Sequence, residues 1–363
     1  MISWQSTTFL MEQNRVVFLD YLRVLACLLV ILVHACEFFY VGESGISIRN
    51  DVDRFWVSLI DSACRAAVPL FVMTSAYLLL PIKGSGFTFL KRRLLRVAVP
   101  FIIWSILYAT VPVLYGEMTV TEMMGKLTRL LWNFNYSSGH LWFIYMLIGL
   151  YLIMPVISPW LKQVSKRGEQ TFIAVWFLTT FYHYFKGHLE YMYGECPWNE
   201  FHTFWYYSGY IGYLVLAHYI RTYINWSLTK SLIVGVITFC IGYYFTYSIF
   251  YDRSLISTDY YFVEVSWRFC TFNVALMTFG IFIMMKKINY DKKWLYRIIG
   301  SISRLSYGMY LMHIFFLNFY FQMMHEHFST PIIILLVSGA TFVTSYVVAK
   351  GLSYLPGSRY YVG

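Results

Sequence analysis

The chain is a succession of apolar runs long enough to sit in lipid. Runs of about 17–25 residues, the length a helix needs to cross a bilayer, lie near residues 16–39, 56–80, 95–115, 140–159, 171–187, 203–220, 231–250, 265–285, 305–324 and 331–353. In hydrocarbon every backbone N–H and C=O must find a protein partner, which leaves helices or closed barrels as the spanning structures. Runs this long predict an all-α, polytopic membrane bundle of about ten transmembrane helices. Only 13% of the 363 residues are charged, against about 25% in an ordinary soluble domain. The fifth and sixth runs are the most polar, through "FYHYFKGHLEYMYGE". No stretch between or after the runs holds a soluble domain, so residues 1–363 read as a single integral-membrane domain. The first run is too long for the core of a cleaved signal.

Basic residues set the orientation. With the N-terminus in the cytoplasm, nineteen Lys and Arg side chains fall on inner segments, and six (Arg49, Arg54, Lys126, Arg129, Lys186 and Arg253) on outer ones. That asymmetry predicts that both termini are cytoplasmic. It also accounts for the net charge of +10 without a nucleic-acid partner, and no arginine-rich arm or nucleic-acid motif occurs. The six cysteines (Cys27, Cys36, Cys64, Cys196, Cys240 and Cys270) show no C-x-x-C spacing, so they read as thiols in apolar runs, not as a metal site or disulfide framework.

The first span, "DYLRVLACLLVILVH" over residues 20–34, carries Asp20, Arg23 and His34, with Glu37 one turn on. An Arg or Asp at mid-membrane costs roughly 2.5–3.5 kcal/mol on insertion scales, so such groups mark functional paths by default. Arg23 and His34 are eleven residues apart, three turns plus about 20°, and share one face about 16 Å apart along the axis. Asp20 is placed to pair with Arg23, and Glu37 to orient His34. The bland reading is that Arg23 snorkels to headgroups and His34 joins a buried polar network.

A second cluster, "FLKRRLLRVAVPF", puts Lys91, Arg92, Arg93 and Arg96 at the cytoplasmic start of the third span. It is either a positive-inside anchor or a phosphate clamp, since guanidinium matches phosphate oxygens bidentately. His140 and Trp142 of "GHLWF" stand at the outer mouth of the fourth span, where Trp142 also fits an interfacial anchor. Ser306, Tyr307, Tyr310 and His313 of "SRLSYGMYLMH" enter the ninth from the inner side. Ser75 of "FVMTSAYLLLP" reads as a small residue that lets helices approach.

Together Asp20, Arg23 and His34, the Arg93-x-x-Arg96 pair, "SAYLLLP", "GHLWF" and "SYGMYLMH" resemble the acyltransferase 3 family of bacterial membrane O-acyltransferases. The resemblance covers about residues 16 to 320. It departs at Ala76, where a Gly commonly follows the Ser. It implies transfer of an acyl group, acetyl in the commonest case, from cytoplasmic acetyl-CoA or another acyl-CoA to a hydroxyl of a cell-surface glycan or lipid-linked sugar. The setting it implies is a bacterial inner membrane, with membrane lipid as neighbour and no metal. His34 would be the general base, assisted by Arg23 and Glu37. Arg92, Arg93, Arg96, Ser75, Ser306 and Tyr307 would hold the donor, and His140, Trp142 and His313 the acceptor. The form expected is the stand-alone one, without a C-terminal extracytoplasmic hydrolase-like domain.

Two other classes fit the composition. A transporter or flippase of a polar lipid or sugar would suit ten helices with buried charge, but the sequence shows no inverted repeat and no span broken at Gly or Pro. A receptor or structural membrane protein leaves Arg23 and His34 without a purpose.

Overall fold

The structure is a computed structural model that describes residues 15–130, 136–185 and 206–363. Its main helices are α1 (Val17–Glu37), α2 (Asp51–Cys64), α3 (Ala67–Leu79), α4 (Gly86–Leu114), α5 (Val120–Thr128), α6 (Trp142–Gln163), α7 (Lys166–Thr179), α8 (Ile211–Tyr223), α9 (Leu228–Ser254), α10 (Phe272–Met285), α11 (Lys293–Met324) and α12 (Thr330–Leu352). Among the described residues no strand occurs beyond an isolated bridge between Val41 and Ile46.

Seven helical segments are long and apolar enough to cross a membrane: Val17–Glu37, Asp51–Leu79, Gly86–Leu114, Ser138–Gln163, Leu228–Ser254, Tyr260–Met285 and Thr330–Leu352. They coincide with seven of the ten expected runs. The runs near 171–187 and 203–220 contain the short helices α7 and α8, and in part they fall on residues 186–205, outside the described residues. The run near 305–324 lies in α11, which is 32 residues long but carries several Ser, Tyr and Arg residues as well as His313. Large apolar side chains of α4, α9 and α12 point outward, Ile106, Ile237 and Val347 among them, as lipid-facing residues do. The protein is a multi-pass membrane protein.

α4 and α11 begin well before their apolar runs. α4 starts at Gly86 and α11 at Lys293, because Lys and Arg are good helix formers that carry a helix past the edge of the lipid. Two spans expected to be continuous are broken. α2 ends at Cys64 and α3 begins at Ala67, leaving Arg65 and Ala66 between them. Pro69 stands in the first turn of α3, where its missing N–H removes no helical bond. The span Tyr260–Met285 passes through a 3₁₀ turn, Glu264–Trp267, before α10 resumes at Phe272. Irregular backbone at membrane depth is tolerated where it is buried in protein or lines a cavity.

The core gathers around α1, which packs against α2, α3, α10, α11 and α12. Leu19, Leu22, Ala26 and Ile31 are buried on it, while Arg23, Val30, Val33, His34 and Glu37 face a cavity. α9 and α10 approach backbone to backbone: a Cβ on Gly280 would lie 2.5 Å from the Gly235 carbonyl oxygen, a contact that only small residues permit. Asn273 secures that pair by donating to Thr246 Oγ1 at 2.7 Å and to the Ser266 carbonyl at 2.6 Å. The described cysteines Cys27, Cys36, Cys64, Cys240 and Cys270 are free thiols; Cys196 lies outside the described residues. Cys240 is exposed on the outward face of α9.

Candidate active site

The helical period brings the charged positions of α1 onto one wall. Asp20 is buried, and a buried carboxylate must be paired and hydrogen-bonded to persist. Its oxygens accept from Ser303 Oγ at 2.6 Å and Tyr296 Oη at 2.8 Å, with Arg15 at 3.4 Å. The Arg23 guanidinium stands 3.8 Å away. Asp20 thereby clamps α1 to α11 and leaves Arg23 facing the cavity. At the other end of α1, His34 Nδ1 and Glu37 Oε2 are 2.8 Å apart. With its Nδ1–H donated to that carboxylate, His34 holds a lone pair on Nε2.

The two ends open into one cavity of about 1110 Å³. At the Arg23 end its wall carries Arg15, Arg23, Arg93, Arg96 and Arg304. Glu37, at the far end, is the only carboxylate on the wall among the described residues. The guanidinium groups concentrate positive charge at the Arg23 end, and their planar forks match the geometry of phosphate oxygens. Ser75 of α3, Tyr151 of α6, and Ser306 and Tyr307 of α11 line the same space. Tyr307 donates to the Val97 carbonyl of α4 at 2.8 Å, which joins α11 to the helix bearing Arg93 and Arg96.

At the His34 end the 3₁₀ turn Tyr136–Leu141 delivers His140 and leads into α6 at Trp142. Three imidazoles gather there. Ring centroids are 5.2 Å apart for His34 and His313, 5.2 Å for His140 and His313, and 6.4 Å for His34 and His140. His313 donates from Nδ1 to the Tyr310 carbonyl at 2.5 Å, and Tyr310 Oη donates to the His140 carbonyl. The Nε2 atoms of His140 and His313 are buried with no hydrogen-bond partner among the described residues. In that same set, no group of three or more His, Cys, Asp or Glu is arranged to hold a metal ion.

Nearly every site residue expected from sequence is drawn to this cavity: Arg23, His34, Glu37, Ser75, Arg93, Arg96, His140, Trp142, Ser306 and Tyr307. Arg92 is not. One residue is 100° on a helix, which turns Arg92 away from the Arg93 face to an exposed position. His313 does not line the cavity either; it is wholly buried behind Tyr310 and against His34, so it supports the wall from behind.

The structure adds Arg65. It is only 6% exposed and lines the cavity. It is paired with the wholly buried Asp61 at 2.5 Å and donates to Tyr40 Oη at 3.2 Å. Its guanidinium lies 4.1 Å from the centroid of the Trp267 ring. The sequence signal was present: "SACRAAVPLF" sets an Arg inside an apolar run, with an Asp four residues earlier on the same face. Arg15 and Arg304 were likewise legible as charges, but not as lining groups.

Residues 16–350 match the family model for an acyltransferase domain. No curated protein and no solved structure matches the chain. The Arg23–His34 wall, the Arg93–Arg96 pair and nearly the whole length of the sequence fall within that match, and the chain belongs to the acyltransferase 3 family.

Proposed function

We propose that this protein transfers an acyl group, acetyl foremost, from cytoplasmic acyl-CoA to a hydroxyl of a cell-surface glycan or lipid-linked sugar. On this reading ten helices cross a bacterial inner membrane, α7, α8 and α11 supplying the further crossings, and both termini face the cytoplasm. The arginine end is then the inner end, where the donor arrives, and the His34 end faces outward.

The observation that carries the reading is the single cavity with arginines at one end and the His34–Glu37 pair at the other. The phosphates of CoA dock on Arg93 and Arg96. Its thin pantetheine arm lies along the α1 wall past Arg23, and the thioester arrives near His34. Glu37 holds the His34 tautomer. His34 Nε2 takes the proton of the acceptor hydroxyl as its oxygen attacks the thioester carbonyl. The C–S bond breaks, the acyl ester forms, and the CoA thiolate leaves with the proton from the imidazolium. General-base help of this kind is worth about 10²–10⁴-fold. His140 and Trp142 border the acceptor, and Ser75, Ser306 and Tyr307 the donor arm.

Radiolabelled acetyl-CoA, purified protein in lipid nanodiscs and cell-envelope glycan from a strain lacking the protein provide the test. Label should pass to the glycan as a base-labile ester. Glycan that stays unlabelled, while the same protein binds acetyl-CoA or does not, overturns the transfer.

A further inference from the structure

A second cavity, of about 610 Å³, lies beside the first and shares three of its wall residues, Arg65, Trp142 and Phe269. Its size is within the range of ligand pockets, about 300–1,000 Å³. Two independent features place a built polar site there. First, both broken spans meet at it. Arg65 sits in the break between α2 and α3, Trp267 ends the 3₁₀ turn that interrupts the span Tyr260–Met285, and the guanidinium of one lies over the ring of the other. Helix breaks at membrane depth cost backbone hydrogen bonds that a polar ligand site can use. Second, the wall combines flat aromatic faces with planar hydrogen-bonding groups. Trp142 and Phe269 stack with centroids 5.5 Å apart at 17°, and Tyr210 lies 6.5 Å from Trp142. Glu264 and Arg268 supply a carboxylate and a guanidinium, the latter held by the His183 ring at 3.0 Å.

We propose that this second cavity is the acceptor subsite and that it binds a neutral pyranose unit, with Arg65 and the Trp142–Phe269 pair forming the partition through which the acceptor hydroxyl reaches His34. A pyranose offers two C–H faces to aromatic rings and a rim of hydroxyls that both donate and accept. Carboxylate and guanidinium groups answer that rim with fixed, charge-assisted hydrogen bonds. Glu264 and Arg268 oppose each other in sign and Arg65 is paired with Asp61, so the wall favours neither an anionic nor a cationic ligand. An acyl chain or polyprenyl tail would displace water from the carboxylate and the guanidinium without replacing its hydrogen bonds, which is unfavourable.

The inference rests on the transfer reading, and its test is separable from it. Saturation-transfer NMR on the full-length protein in nanodiscs would use methyl glycosides of glucose, galactose, mannose and N-acetylglucosamine as probes, with glycerol as the open-chain control. Acetyl-CoA binding by calorimetry on the same samples reports the donor cavity and the fold. At least one glycoside should receive saturation at its ring protons, and excess acetyl-CoA should leave that signal in place. Glu264→Gln and Tyr210→Ala should each weaken it at least tenfold. No signal from any glycoside, a signal unchanged in both variants, or displacement by acetyl-CoA would overturn the subsite. Loss of acetyl-CoA binding by the unaltered protein would overturn the donor half of the transfer reading instead.

Discussion

His34 Nδ1 lies 2.8 Å from a carboxylate oxygen of Glu37, one turn along the same helix. That contact fixes which nitrogen of the ring faces the cavity. His34→Ala should reduce acyl transfer by at least about 10²-fold while acetyl-CoA binding persists. Glu37→Gln keeps a hydrogen-bond acceptor and should be milder. Transfer rates measured at saturating donor decide it; a folded His34→Ala protein with more than a tenth of the original rate removes the general-base role.

Arg93→Lys and Arg96→Lys keep the charge that orients the chain but lose the planar fork. Each should weaken acetyl-CoA binding by about 1–3 kcal/mol, the scale of a charge-assisted hydrogen bond. Arg92→Lys should bind as the parent does, since Arg92 is turned off the cavity. Calorimetry on the three variants separates a phosphate dock from a general requirement for basic residues.

Asp61 and Arg65 form a pair that is 0% and 6% exposed. Removing one partner from such a pair typically costs about 3–5 kcal/mol, because the other charge is left buried and alone. Arg65→Met should therefore lower the thermal midpoint strongly, and Asp61→Leu/Arg65→Met should recover much of the loss. The double variant should still be inactive in transfer, as the partition group is gone. Thermal unfolding in nanodiscs, read beside activity, tests both statements.

Asp20 joins α1 to α11 through Ser303 and Tyr296. Asp20→Asn removes the charge those hydroxyls and Arg15 and Arg23 answer, at a cost of about 1–3 kcal/mol. Hydrogen exchange should rise where α1 and α11 meet and remain unchanged in α9 and α10, which have their own Asn273 clamp.

Outside the spans, Thr119 and Glu122 close a capping box at the start of α5. The backbone and side-chain hydrogen bonds from Thr119 hold the Glu122 carboxyl below its ordinary range. A depressed carboxyl stabilises above its unfolded value, about 4.3, and that support vanishes as pH falls through the folded value. Amide exchange in α5, corrected for intrinsic rate, should be slow at pH 6 and accelerate as the pH falls below that unfolded value. A Thr119→Ala variant should show fast exchange at both.

The Arg23–His34 wall was legible because one helical period relates the two residues. The pair Arg93 and Arg96 was legible for the same reason, and that period also excludes Arg92, which charge alone had grouped with them. Arg65 escaped because an apolar average over residues 56–80 hides one charge, and because its break carries neither Gly nor Pro at the turn. Its meaning depends on Trp267, more than two hundred residues away, and no local pattern reports a contact of that kind. The start of α11 was missed because apolarity locates lipid, whereas helix propensity continues into water.

α11 is one unbroken helix of 32 residues, and it meets α1 twice, at Ser303 beside Asp20 and at His313 beside His34. From Ser303 to His313 is about 15 Å of helix, and from Asp20 to His34 about 21 Å. Two helices tied to each other near both ends thus fix the distance between the arginine cluster and the imidazole. On the transfer reading, a thioester whose arm is too short to bridge that distance would reach one end or the other but not both, and the helix pair would act as a gauge of donor length.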